Sequence, residues 1–520
     1  MTVERRTART GDPTVLANGR FLHSRYDPRR EARRFTDSLT PENPESVTIL
    51  LGDGTGVVRS ALTDRFPSMR VISVEPVPQE GEPATDHTPR NADRLGAPPE
   101  DAPETTADRL HSRLHPLDAG RIQVLTWSGA RTAIPEWCSA METLVLEVMR
   151  SLQAELATTG SFGRLWLANA VRGTVRADRR VSVRFEGDGL VTATAGPGLS
   201  ALARRVPPAD RPSLPIIAAG SAVHWLNHQG FHPFLAVQTD GGLWARRYLK
   251  DIELARAIAL QPLRAAGGRV TAPLYVRTGW FGEVLAPDAR EWPFLREYPT
   301  VGASLLDLAH RYCPDGTLVA SGLDLCTRGL LGHSSPHRND RYIRTRIARL
   351  ASEETLRASR AAWADSAARL PGIGDTHYPG GAWQTPALAA YRRPVATVVR
   401  AHRETGTTWF LDPSPVWSRE APLPDTAPLP RGRFLSTNHT RPDRKKRMRH
   451  VETTLRKWQE QVRRGSADPD TVTEELRDLM LHLAPVETLQ WYRGTLATDR
   501  LRSRVLYGLE GLSQLLERLG

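Results

Sequence analysis

LVTATAGPGLSALARRV, residues 190–206, is a short apolar run rich in β-branched residues, then a turn of Gly and Pro, then a stretch of helix formers. That order predicts strand, turn and helix. The glycines of Ala195-Gly196-Pro197-Gly198-Leu199-Ser200 let a phosphate come close to free helix N–H groups and to the positive end of the helix dipole. The pattern recurs downstream in SLPIIAAGSAVHWLNHQG (213–230) and PFLAVQTDGG (233–242). It returns in APLYVRT (272–278), GASLLDLAHRYC (302–313) and TLVASGLDL (317–325). Short continuous apolar strands that alternate with helices are what a parallel sheet covered on both faces produces. Ligands of such sheets bind at the C-terminal ends of the strands. Three strand ends there carry glycines or acids: 195–200, then Val237-Gln238-Thr239-Asp240-Gly241-Gly242, then Ala320-Ser321-Gly322-Leu323-Asp324-Leu325. An Asp in such a place can take a ribose hydroxyl, a metal or a proton, or can simply cap the next helix.

A chain of 520 residues exceeds one hydrophobic core. We expect an α/β protein: an N-terminal Rossmann-like α/β domain over 1–157, a Rossmann-like parallel-sheet domain over 158–400, a linker at 401–440 and a helical domain over 441–520. Within the first, Ser46–Leu51, Gly52-Asp53-Gly54-Thr55-Gly56 and Arg70–Glu75 read as a βαβ unit. Gly52, Gly54 and Gly56 could admit a phosphate or adenosine, with Glu75 placed for a ribose hydroxyl. A tight turn that binds nothing gives the same pattern. Residues 76–112, crowded with Pro, Asp, Glu and Thr, read as a mobile loop.

No apolar run of about 18 residues occurs, which predicts a cytoplasmic chain with no membrane partner. Cys138, Cys313 and Cys326 lack metal-ligand or disulfide spacing and read as reduced packing residues. The formal charge of +12 comes almost entirely from Arg, with Lys at 250, 445, 446 and 457. No nucleic-acid motif accompanies it, so nucleic acid is disfavoured as a partner. The run Arg444-Lys445-Lys446-Arg447-Met448-Arg449 reads as a solvated helix face or a contact to an acidic partner. His333 and His337 lie just beyond Asp324, where one could act as general acid or phosphate partner. His224 and His228 share a helix face but sit among packing residues.

A family resemblance rests on particular residues. Gly19-Arg20-Phe21-Leu22-His23-Ser24-Arg25-Tyr26-Asp27-Pro28, with Glu31-Ala32, resembles the HS-x-YDP-x-x-EA signature of DUF115-domain proteins. That group unites 6-hydroxymethylpterin diphosphokinases (MptE-like) with motility-associated factor (Maf) flagellin glycosyltransferases. Gly196-Pro197-Gly198-Leu199 is similar to the family's G-P-S-L turn, with Gly198 where Ser is usual. Thr239-Asp240 is similar to its strand-end Asp, Gly322-Leu323-Asp324-Leu325 to its G-x-D-L, and His333 to the His that follows. Gly380-Gly381-Ala382-Trp383-Gln384-Thr385, then Tyr391, is similar to the segment that closes the domain. Together these cover most of residues 15–400.

The resemblance implies a nucleotide-binding Rossmann-like domain, and the flanking domains place the chain nearer the Maf side. On that reading a nucleotide-activated sugar, such as a CMP-nonulosonate, passes to a protein acceptor such as flagellin. Gly196, Pro197, Gly198, Leu199, Ser200, Thr239, Gly241 and Gly322 would hold the nucleotide. Asp240 and Asp324 would orient ribose or activate the acceptor, and His333 would stabilise the leaving phosphate. The rival diphosphokinase would use ATP, with Mg²⁺ on Asp240 or Asp324. A third reading is a non-catalytic binding or scaffold protein.

Overall fold

The computed structural model describes residues 2–40, 46–76, 92–97, 103–176, 179–239, 248, 258–260, 272–274, 277–278, 281, 284–285, 294–296, 298–329, 331–362, 368–369, 381–417, 422–424, 426–440, 443–465 and 472–520. The chain is mixed α/β and divides into two compact units, Met1–Thr159 and Gly160–Gly520.

The first unit opens with a small antiparallel sheet of β1 (Val3–Thr7), β2 (Pro13–Ala17) and β3 (Arg20–Phe21). Helix Pro28–Asp37 follows, with Pro28 at its first position and the Asp27 side chain accepting from Arg30 N–H. The main sheet holds β4 (Val47–Leu51), β5 (Arg70–Glu75), β6 (Ala92–Gly96) and β7 (Ile122–Thr126), ordered β6-β5-β4-β7 and all parallel. β4 is buried along its whole length, which explains why it is apolar apart from Thr48.

Two expectations change here. Of the stretch read as a mobile loop, Ala92–Gly96 joins the sheet and Pro103–His111 is a helix. Leu95, Ala97, Ala107 and Leu110 supply the buried apolar surface that orders them. Residues 77–91 and 98–102 lie outside the described residues. The helix expected near 137–157 runs from Pro135 to Arg176, and the boundary between the units falls within it.

The second unit is built on a seven-stranded parallel sheet. Its long ribbon strand β8 (Arg179–Gly187) leads into β9 (Gly189–Ala193), β10 (Ile216–Ala219), β11 (Leu235–Val237), β12 (Ile258–Leu260) and β13 (Ala272–Leu274). β14 (Arg277–Thr278) pairs with β15 (Phe294–Leu295). β16 (Thr317–Ser321) returns to the main sheet. β17 (Thr327–Arg328), β18 (Ala368–Arg369) and β19 (Ala382–Gln384) form a small antiparallel sheet. β20 (Thr407–Leu411) is the last strand of the main sheet, and β21 (Gly432–Thr440) pairs antiparallel with β8. The main order is β13-β12-β11-β10-β9-β16-β20. From β9 the chain builds outward to one side as far as β13, then crosses back to add β16 and β20 on the other. The order therefore reverses between β9 and β16.

The stretch expected as a linker at 401–440 thus supplies one sheet strand and one ribbon strand. Phe410 and Leu411 are buried in β20, and Phe434 of β21 stacks on Phe234 and packs against Phe185 and Tyr312. The C-terminal helices Arg444–Arg464, Glu474–Leu483, Pro485–Tyr492 and Thr498–Glu517 close around Val451, Trp458, Leu479, Val505 and Leu509. The same core takes Leu167, Val171 and Val175 from the long helix. Among the described residues no helix is long and apolar enough to cross a membrane.

Candidate functional site

Two glycine turns follow first strands of parallel sheets, and in both a carboxylate of the chain itself takes up backbone N–H groups. In the first unit Asp53 is fully buried. Its two oxygens accept from Val58 N–H and Arg59 N–H, each at 3.0 Å, so it caps helix Val57–Arg65. Glu75, at the end of β5, turns back to accept from Gly54 N–H and from the Ser73 hydroxyl. Gly52, Gly54 and Gly56 all have positive φ, the conformation that favours glycine. His23 hydrogen-bonds Asp53 O, lies 3.2 Å from the Thr55 hydroxyl and stacks on Trp127. The HS-x-YDP segment therefore buttresses the turn from below. Burial raises Asp53; burial and the charge of Asp53 push Glu75 up to about 7; burial lowers His23.

In the second unit, parallel pairing puts the C-terminal ends of β9, β11 and β16 on one rim of the sheet. The turn after β9 and the turn after β16 meet at the point of reversal. Gly196 N–H donates to Gly322 O at 2.9 Å, and Gly198 N–H donates to the Asp324 carboxylate at 2.8 Å. Asp324 is 3% exposed and pairs with Arg328 at 2.6 Å. Arg328 also grips Asp412, at 2.8 Å to the carboxylate and 2.9 Å to the carbonyl. Burial raises the Asp324 pKa, against the pull of Arg328 and the Gly198 N–H.

This geometry explains Gly198. A Cβ there would come within 2.8 Å of the Arg328 guanidinium and 2.9 Å of the Asp324 carboxylate. Gly196 is tighter still, with a Cβ placed 2.2 Å from Gly322 O, and Gly322 needs a φ of +70°. Pro197–Leu199 forms a single tight turn before helix Ser200–Arg205, whose Ser200 hydroxyl bonds back to Pro197 O. Of the third strand end, Gln238 is buried and Thr239 half-buried; Asp240 and Gly241 lie outside the described residues.

The segment after Leu331 folds over the glycine turn. Ser334 N–H donates to Ala195 O at 2.8 Å and its hydroxyl to Gly196 O at 2.6 Å. His333 stacks on the buried His337 with ring centres 4.2 Å apart. Burial, and then His333, push His337 down to about 3. Asp340 accepts from His337 N–H, the Ser335 hydroxyl and Arg357. Those bonds hold it below the usual carboxylate range although burial alone would raise it.

Of the residues picked from sequence, the structure brings together Gly196, Pro197, Gly198, Leu199, Ser200, Gly322, Asp324 and the segment that carries His333. Arg328, Asp412, Ser334 and Asp340 were not foreseen. Only the i,i+4 spacing of Asp324 and Arg328 offered a signal, and Asp412 lies 84 residues further on. Among the described residues no group of three or more His, Cys, Asp or Glu could hold a metal ion.

No family model matches the sequence. Over 149 residues it is 28% identical to an uncharacterized protein of Treponema pallidum (strain Nichols), a span of 28% of this chain and about a third (33%) of that relative. The fold is similar to that of the MAf glycosyltransferase from Magnetospirillum magneticum AMB-1, with a TM-score of 0.50 and 14% identity over 100% of this chain and 90% of that one. The architecture is Maf-like.

Proposed function

We propose that this chain is a nucleotide-dependent transferase. It moves a nucleotide-activated sugar, a CMP-nonulosonate in the form nearest the sequence resemblance, to a protein acceptor such as flagellin. The observation that carries the reading is the reversal of strand order between β9 and β16, with a glycine turn on each side of it. Open parallel sheets bind nucleotides at that point. The Maf-like architecture supports the choice of sugar transfer over the diphosphokinase.

In this reading Asp324 is a positioning residue. Through Gly198 N–H and Arg328 it fixes the shape of the turn that forms the rim beside the donor. Thr194, the residue after β9, has a buried hydroxyl with no partner among the described residues, a group able to meet the donor. In the same reading His333, the neighbour of the Ser334 that bonds to Gly196 O, stabilises the leaving phosphate.

One observation favours a second reading, a non-catalytic binding module: both glycine turns give N–H groups to the chain's own carboxylates. Melting temperatures with CMP, CDP, UDP, ATP and GTP, each with and without Mg²⁺, separate the readings. The transferase should be stabilised by a cytidine nucleotide, the diphosphokinase by ATP with Mg²⁺. No stabilisation by any nucleotide would sink the transferase and leave the binding module.

A further inference from the structure

Helix Gly220–His228 follows β10 and so starts on the same rim as the glycine turns. Between it and helix Arg338–Arg344 lies a cavity of about 440 Å³ lined by His224, Pro336, His337, Asp340, Arg344 and Thr345. His337 is 3% exposed, and its Nδ1 accepts Asn339 N–H at 3.2 Å. A neutral imidazole that accepts at Nδ1 carries its proton on Nε2. Nε2 is therefore a donor, and it is buried with no hydrogen-bond partner among the described residues. A buried donor left unpaired costs about 1–3 kcal/mol, so such a group calls for an acceptor from outside.

The charges around it select the kind of acceptor. Asp340 is the carboxylate of the lining, and it is already engaged by His337 N–H, the Ser335 hydroxyl and Arg357 at 2.8 Å. Arg344 has no carboxylate partner among the described residues, and His224 adds a second imidazole. The lining thus presents donors and a guanidinium that no carboxylate of the described residues neutralises.

We propose that this cavity binds an oxyanion, the phosphoryl or carboxylate group of a small-molecule substrate, with His337 Nε2–H as the buried donor and Arg344 as the counter-charge. Only the word substrate rests on the transferase reading; the oxyanion site stands on the geometry. Neutral His337 keeps its donor through the physiological pH range, so the site needs no protonation to work.

Titration calorimetry of the full chain tests it, with sodium pyrophosphate and sodium acetate as probes at constant ionic strength. Wild type should bind at least one of them, and which one names the source of the oxyanion. His337→Phe, which removes the donor, should weaken binding about tenfold or more. His337→Gln, which can restore an N–H, should stay within about threefold of wild type. Arg344→Ala, at an exposed position that leaves the core intact, should weaken binding about tenfold. Binding of neither probe by wild type, or wild-type affinity in either His337→Phe or Arg344→Ala, overturns the site. Nucleotide melting shifts are measured on the same four proteins. A wild-type nucleotide shift retained in His337→Phe would leave the transferase and remove only the word substrate, whereas pyrophosphate binding without any nucleotide shift would leave the oxyanion site and remove the transferase.

Discussion

Replacing Glu75 with Gln should stabilise the first unit, by an amount that grows with pH. The Glu75 carboxyl is buried beside the buried Asp53, and its folded pKa is pushed up to about 7 from 4.5. Between those two values the folded form holds a proton that the unfolded chain has released. Stability therefore falls as pH rises through this window, and the loss is complete above about 7. A shift of that size corresponds to about 3 kcal/mol. Gln is neutral at every pH, keeps an acceptor for Gly54 N–H and offers the Ser73 hydroxyl an amide partner, so it removes the charge without orphaning the turn. His23 contributes an opposite slope: its folded pKa is lowered, so its share of stability is lost as pH falls below about 6.5. Because both proteins carry His23, its effect largely cancels in their difference. Hydrogen exchange of the amides of β4 and β5, read by mass spectrometry from pH 5 to 8, reports the local opening free energy. The mutant should match wild type near pH 5 and exceed it by about 3 kcal/mol at pH 8. A difference that stays flat across this range would mean that Glu75 is ionised throughout and that burial beside Asp53 does not govern it.

Other changes probe the second unit. Asp324→Ala leaves Arg328 with one carboxylate fewer and frees Gly198 N–H, and should lower stability by about 3 kcal/mol in urea titration while abolishing any nucleotide-induced melting shift. Gly198→Ala should cost about 2 kcal/mol, because the Arg328 guanidinium and the Asp324 carboxylate must both move; a neutral result would mean that the turn has room to spare. Arg447, buried in the basic run, donates to Thr174 O and Val175 O at 2.9 Å and so caps the end of the long helix. Arg447→Ala should lower the melting temperature of the second unit by several degrees, whereas Lys445→Ala, on the exposed side, should leave it within about a degree.

The parallel sheet was legible because a strand buried on both faces is mostly apolar: 216–219 and 235–237 are wholly so, and 190–193 and 317–321 are interrupted only by the small residues Thr192, Thr317 and Ser321. Helix Pro28–Asp37 was legible from its Asp-Pro start. The role of 401–440 was not, since Gly and Pro around a five-residue strand hide it, and only pairing with β16 shows that Thr407–Leu411 belongs to the sheet. The same limit applied to the site. The glycine turn and Asp324 stood out as motif residues, but whether Asp324 faces a ligand or its own backbone depends on a contact between residues 126 apart in sequence. The basic run was misleading for another reason: charge counts do not separate Arg447, which is buried, from its exposed neighbours, because a guanidinium that finds helix carbonyls can leave water.

The placement of Asp324 bears on how any donor could sit. A phosphate at a glycine turn needs backbone N–H groups that nothing else has claimed. Here Gly196 N–H is spent on Gly322 O, Leu199 N–H on Gly196 O, and Gly198 N–H on Asp324. A donor phosphate lying against this turn would also compete with the Asp324 and Asp412 carboxylates for Arg328, the cation they already share. The turn is therefore better suited to fix the geometry of the rim than to grip the phosphate. Binding energy for an anion must then come from cations and donors beside the turn. His337 Nε2–H and Arg344 across the neighbouring cavity are groups of that kind. On the proposed transferase reading, then, the reversal point of the sheet would supply the rigid, internally satisfied rim, and the histidine-lined cavity the donors for the anion.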